Sequence, residues 1–239
     1  MSAIDLVLYT VLKTGDHFLT SNDLYGGTYR YFDGLVTQRG VSYDPCSNLD
    51  DFLEKIQPKT KLIWLETPSN PMMKLFDIQQ ISATVKAKYP NILIAVDNTF
   101  LTPIYQQPLT LGADIVVHSA TKYLGGHNDI LAGAVITEDD DLAEQLETAL
   151  ITSGQVLDPF SSWLLLRSLK TLHLRMARHN ENGHYLAEKL RDVSGVAHLN
   201  YAGVGGMISF YLADDYDVDT FLKGLKIASF AESLGGPET

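Results

Sequence analysis

From Lys61 onward, short unbroken apolar runs alternate with longer segments of helical spacing. "KLIWLET" (61–67) and "NILIAVDN" (91–98) have the length and continuity of strands buried on both faces. Between them "FDIQQISATVKAKYP" carries apolar residues at helical intervals and stops at Pro90, which predicts a crossover helix. "ADIVVHS" (113–119) and "AGAVIT" (132–137) are two further strands, so three or four parallel strands are expected in sequence. Acids open the next helix, "EDDDLAEQLETALIT", and helical spacing then runs from Pro159 to Val193. "GGMISFYLA" alternates as a strand does, and "VDTFLKGLKIASFAES" has amphipathic helical spacing. The pattern predicts an α/β protein with a mostly parallel sheet and helices on both faces. A larger domain is expected over 1–168 and a smaller α+β domain over 169–239.

Composition narrows the function more than the fold. Of the 239 residues 45% are hydrophobic, enough for a substantial core. Lys and Arg number 18 against 29 Asp and Glu, a formal charge of −11 with no basic run. That balance speaks against nucleic-acid or anionic-membrane partners. Cys46 is the single cysteine, so no intrachain disulfide can form, and nothing resembles a signal peptide or a membrane-spanning run. A reducing cytoplasm is the expected location.

Polar residues at the C-terminal ends of the strands are where ligands of open α/β sheets bind. In "HSATKYLGGH" (118–127), Lys122 follows a buried strand and sits among the hydroxyls of Ser119 and Thr121 and the Gly125–Gly126 pair. By position alone Lys122 is a lysine snorkelling to solvent. Its neighbours suit a different role, an amine beside an anionic cofactor. Pyridoxal phosphate needs such a lysine for a Schiff base, donors for its phosphate and an acid for its pyridinium nitrogen. Asp97, ending "IAVD", is the candidate acid, with a turn cap as the plainer alternative. Tyr25 in "NDLYGGTYRYF" offers a ring to stack on a planar cofactor or simply to pack. Asn70 in "ETPSNP" (66–71) is the polar group best placed to reach a ring hydroxyl, in a segment whose prolines also mark a turn.

Taken in order, "DLYGGTYRYF", "ETPSNP", "VDNTF", "HSATKYLGGH", "GGMISF" and "AESLGG" resemble the Cys/Met-metabolism family of pyridoxal-phosphate enzymes. That family includes cystathionine γ-synthase, cystathionine β- and γ-lyases and methionine γ-lyase. The resemblance covers essentially the whole chain and implies the aspartate-aminotransferase-type fold (fold type I), used as a homotetramer, a dimer of dimers. It implies that Lys122 is the Schiff-base lysine and proton carrier, Asp97 the pyridinium partner and Tyr25 the stacking ring. Ser119, Thr121 and Met1 then belong to the phosphate cup, Asn70 to the ring oxygen, and Ser233 to the substrate carboxylate. Arg30 and Glu232 match distal-pocket positions of members that handle cystathionine, with solvated surface charge as the alternative for each. Gly27 stands where methionine γ-lyases carry cysteine, which makes that activity the less expected one.

Family chains are longer, and the resemblance also implies what this chain lacks. "MSAI" begins inside the Ser-Gly-Met phosphate turn, and the upstream arm with its Tyr-x-Arg pair is missing. "HLNYAGVGGM" is a shortened connection, and "SLGGPET" stops before the arginine that binds the substrate α-carboxylate. The expected function is β/γ-elimination or γ-replacement on cystathionine or a related sulfur amino acid. A catalytically impaired remnant serving as scaffold or interacting subunit is the alternative.

Overall fold

The computed structural model describes residues 1–238. The chain divides into two compact units. The first takes Met1–Asn98, Gln106–Ser119 and Gly133–Leu157; the second takes Thr99–Tyr105, Ala120–Ala132 and the chain from Asp158 on.

The first unit is built on a six-stranded sheet of β1 (His17–Ser21), β2 (Ser42–Cys46), β3 (Thr60–Glu66), β4 (Leu93–Asp97), β5 (Ile115–Ser119) and β6 (Gly133–Ile136). Their order is β2-β1-β3-β4-β5-β6, and every neighbouring pair is parallel except β5 and β6. Side chains alternate across a strand, so one run of apolar residues fills two cores. Phe18, Leu62, Trp64, Ala95, Ile115 and Val117 face α1 (Ser2–Val11) and α6 (Asp140–Ser153). Leu19, Ile63, Leu65, Ile94 and Val96 face α3 (Leu49–Lys55) and α4 (Ile78–Lys88) on the opposite side. Side-chain caps start the covering helices: Asn48, Asp77 and Asp139 accept from the backbone N–H groups of Asp51, Gln80 and Leu142 at 3.0, 2.8 and 2.8 Å.

The predicted "AGAVIT" strand exists as β6 but runs antiparallel to β5. Only thirteen residues separate Ser119 from Gly133, and they form turns and irregular backbone with no crossover helix to return the chain parallel. β1 and β2 escape the apolar pattern, because "HFLTS" is half polar and the edge strand "SYDPC" contains a proline. Between them lies α2 (Gly26–Arg30), which continues into a wider π-type turn over Tyr31–Val36.

The second unit contains α5 (Thr102–Tyr105), α7 (Pro159–Leu169), α8 (Leu172–Arg191) and α9 (Val218–Gly224), with a two-stranded antiparallel sheet of β7 (Val196–Tyr201) and β8 (Ile208–Leu212). Its core is Ala120, Tyr123, Leu124, Leu172 and Met176. The amphipathic helix predicted over 218–233 stops at Gly224; Ile227 and Phe230 beyond it are 95% and 82% exposed, so that stretch lacks an apolar face to rest on. Among the described residues no helix is long and apolar enough to cross a membrane.

Phe32 is fully buried and meets Phe18, Tyr43 and Trp64 at ring-centroid distances of 4.9, 5.8 and 5.8 Å, all edge-on. Phe32→Ala is therefore expected to cost about 3–5 kcal/mol of stability, read from urea unfolding at neutral pH. A midpoint unchanged from the native protein would show that this aromatic cluster is not what anchors the π-type turn.

Candidate active site

β3 and β4 end in register, and β5 runs two residues further. Glu66, the last residue of β3, is the register partner of Asp97, the last of β4, and Asp97 is in turn the partner of Val117, two residues before Ser119. Counting alternate positions, Glu66, Asp97 and Ser119 fall on the face that carries Trp64, Ala95 and Val117. The same face is covered by α1, which packs on β5 and β6. Asp97 and Ser119 are half-buried, Glu66 is 5% exposed. Met1 is the N-cap of α1 and its side chain caps none of the first-turn N–H groups, at the end of a helix that favours negative charge.

The "ETPSNP" segment is held in place by its own polar side chains. Ser69 Oγ and the Met72 N–H both donate to Asp23 Oδ2, at 2.5 and 2.9 Å, and the Phe76 N–H donates to Thr67 Oγ1 at 2.9 Å. Gln106 links this segment to the exit of β4, donating to the Thr67 carbonyl at 2.8 Å and to Asn98 Oδ1 at 2.9 Å. Both X-Pro bonds, Thr67–Pro68 and Asn70–Pro71, are cis, and Asn70 is half-buried. Tyr25, the N-cap of α2, is 44% exposed, and a Cβ on Gly27 would overlap its ring. The glycine is what leaves room for the ring. Arg30 ends α2, exposed and without an ion pair among the described residues.

In the second unit Lys122 is half-buried, and its Nζ donates to Ser233 Oγ at 3.3 Å. Burial lowers the pKa of its ammonium, with the charge of Glu232 working the other way. Gly235 explains how Ser233 gets there. Its φ is +83°, and a Cβ would come within 2.7 Å of the Tyr123 N and 2.9 Å of the Lys122 carbonyl carbon, so the two backbones pack directly. Thr121 is occupied locally: its Oγ1 accepts from the Ala132 N–H at 2.9 Å and donates to the Ala132 carbonyl at 3.2 Å. Within the second unit the structure thus brings Lys122, Glu232 and Ser233 together, and within the first unit Tyr25, Asn70 and Asp97 gather around Glu66.

Glu66 escaped the sequence reading. Its carboxyl receives the Tyr25 N–H at 3.0 Å on each oxygen and a further backbone N–H from Asn70. The available signal was a glutamate closing an apolar strand, in step with an aspartate closing the next. His118 was also passed over; it lies on the other face of β5 and is 4% exposed.

The donor set fits pyridoxal phosphate. Taken by itself, the first unit has a carboxylate and a hydroxyl on one sheet face by a helix N-terminus, and the second unit, taken by itself, has a partly desolvated amine. Residues 1–239 match the Cys/Met metabolism PLP-dependent enzyme family, and the chain belongs to that family. Over its whole length it is 48% identical to the cystathionine gamma-synthase/O-acetylhomoserine (thiol)-lyase of Bacillus subtilis, covering 64% of that protein. It is 44% identical to the cystathionine beta-lyase of Lactococcus lactis subsp. cremoris (strain MG1363), covering 67% of it. The crystal structure of cystathionine gamma-lyase from Lactobacillus plantarum complexed with L-serine superposes with a TM-score of 0.96 at 37% identity, over 99% of this chain and 66% of that one. The chain thus spans about two thirds of the length of these relatives. Its fold is the α/β, fold-type-I arrangement of pyridoxal-phosphate enzymes expected from the sequence.

Burial pushes the His118 imidazole down to about 4, against a hydrogen bond with the Asn98 backbone that favours the charged ring. In the unfolded chain it titrates near 6.5. Between those values the unfolded state binds a proton that the native state refuses, so stability is full above pH 6.5 and falls as pH drops toward 4, by roughly 3 kcal/mol. His118→Asn should flatten the urea midpoint against pH across this window. An equally steep profile in the variant would assign the acid sensitivity elsewhere.

Proposed function

We propose that the chain is the core of a trans-sulfuration enzyme that acts on cystathionine or a related sulfur amino acid by β/γ-elimination or γ-replacement. What carries this reading is the family match over residues 1–239 together with a half-buried lysine of lowered pKa beside Ser233. The cofactor, when bound, supplies the electron sink that makes an amino acid's Cα–H acidic. Lys122 Nζ is the group that takes this proton and returns it, because its lowered pKa leaves a larger share of free amine near neutral pH. Asp97 holds a negative charge toward the ring nitrogen, Tyr25 stacks on the ring, and Asn70 meets the ring oxygen. Ser119 and the α1 N-terminus at Met1 bind the phosphate, and Thr121 joins them by turning its hydroxyl away from the Ala132 carbonyl; Ser233 contacts the substrate carboxylate.

In this reading the distal-pocket roles fall to Arg30 in the first unit and Glu232 in the second. Arg30 has the fork geometry to grip the second carboxylate of a two-headed amino acid. We assign residues 1–168 to the cofactor-binding large domain and 169–239 to the small domain. The assembly is a homo-oligomer, a dimer of dimers, in the cytoplasm. No observation favours the scaffold alternative.

Purified protein supplied with pyridoxal phosphate should turn yellow, and borohydride should fix the label on Lys122, located by peptide mass spectrometry. Lys122→Ala should remain colourless; a yellow variant labelled at another lysine would overturn the assignment.

Arg30→Ala should lower kcat/KM for cystathionine about 10- to 100-fold, the worth of one charge-assisted contact, and lower it much less for a substrate lacking the second amino-acid head. Equal losses on the two substrates would make Arg30 structural.

A further inference from the structure

Two carboxyl groups stand side by side at the ends of neighbouring parallel strands. Glu66 and Asp97 are register partners, so their side chains leave the sheet on the same face. Glu66 is the more deeply buried of the two and forms no ion pair among the described residues. Its contacts are backbone donors: the Tyr25 N–H, shared by both oxygens at 3.0 Å, and the N–H of Asn70. Its own N–H donates to Ser21 Oγ at 3.1 Å, which fixes the strand end. Two neighbouring carboxyl groups do not both ionise readily, and the less solvated member keeps the proton. Burial, then the charge of Asp97 and that of Asp23, raise the Glu66 pKa well above its ordinary value, and the two N–H donors only partly oppose them.

We infer that Glu66 is a positioning residue: uncharged, it ties the backbones of Tyr25 and Asn70 to the end of β3 and leaves the negative charge of the strand pair on Asp97. This rests on the reading above in which Tyr25, Asn70 and Asp97 touch the cofactor. The Tyr25 carbonyl accepts from the Tyr29 N–H at 3.0 Å within α2, the Glu66 carboxyl holds its N–H, and the space over Gly27 admits its ring. A charged Glu66 would compete with Asp97 for the role of pyridinium partner. A neutral one gives the ring a single acid.

Glutamine is the neutral isostere, and alanine removes the contact. In cofactor-free protein carrying 13C-glutamate, infrared spectra at neutral pH should contain a buried carboxylic-acid carbonyl band that disappears in Glu66→Gln. Hydrogen exchange at the Tyr25 and Asn70 amides should quicken about tenfold or more in Glu66→Ala and stay within about threefold in Glu66→Gln. Pyridoxal-phosphate affinity should follow the same order, with the glutamine variant within about threefold of native and the alanine variant weaker by about tenfold or more. Absence of the acid band, or unchanged exchange in Glu66→Ala, overturns the inference even where borohydride still labels Lys122. The band and the exchange changes with Lys122 unlabelled overturn the cofactor reading, and with it the positioning role, while leaving the charge state of Glu66 established. Should Glu66→Ala fail to fold, the acid band and the glutamine variant's affinity decide the question.

Discussion

The register that aligns β3, β4 and β5 is the constraint on which the rest of this structure depends. Because Glu66, Asp97 and Val117 align, the polar residues that follow each apolar run emerge along one sheet edge, and strand alternation puts Glu66, Asp97 and Ser119 on one face. A one-residue slip in any pair would send one of them to the opposite face, toward the core of α3 and α4. The two dry cores resist that slip. Trp64, Ile63, Leu65, Ala95, Ile94 and Val96 are all fully buried, so a slipped strand would exchange every one of its side chains between two already filled spaces.

The loops beyond the strand ends are stiffened in proportion to what they carry. "ETPSNP" is bound by Asp23, Ser69 and Thr67, and it is linked to the exit of β4 through Gln106 and Asn98. Tyr25 is held through its backbone by Glu66. In the second unit, Thr121 closes on Ala132 while the backbone at Gly235 lies against that of Lys122 and Tyr123. Desolvated polar groups in each unit shift away from charge: in the first the Glu66 acid upward and the His118 base downward, in the second the Lys122 base downward. Burial is the first cause in all three, so the fold itself displaces their pKa values before any ligand binds.

Much of this architecture could be read from the apolar pattern, because strands buried on both faces must be continuous apolar runs; β3, β4 and β5 were therefore legible, as were the helices α4 and α6 between turn signals and caps. β1 and β2 were not, since their stability comes from pairing with β3 and its neighbours more than from their own composition. The direction of β6 was also hidden. A four-residue strand has the same alternation whichever way it runs, and only the geometry of the 120–132 connection decides its direction.

For the candidate site, the sequence by itself determined which residue types follow which strands: Glu66, Asp97 and Ser119 at three strand ends, Lys122 three residues further on, and Tyr25 beside two glycines. Those identities, in that order, are enough to point to a family. The tertiary structure alone decided how they act on one another. Glu66 became the link between Tyr25, Asn70 and Asp97 only when β3 and β4 paired in one register, and Lys122, partly desolvated, met Ser233 only in the folded second unit. Desolvation and charge coupling depend on distances between residues remote in the chain, such as the 111 positions between Lys122 and Ser233, and no local pattern encodes those distances.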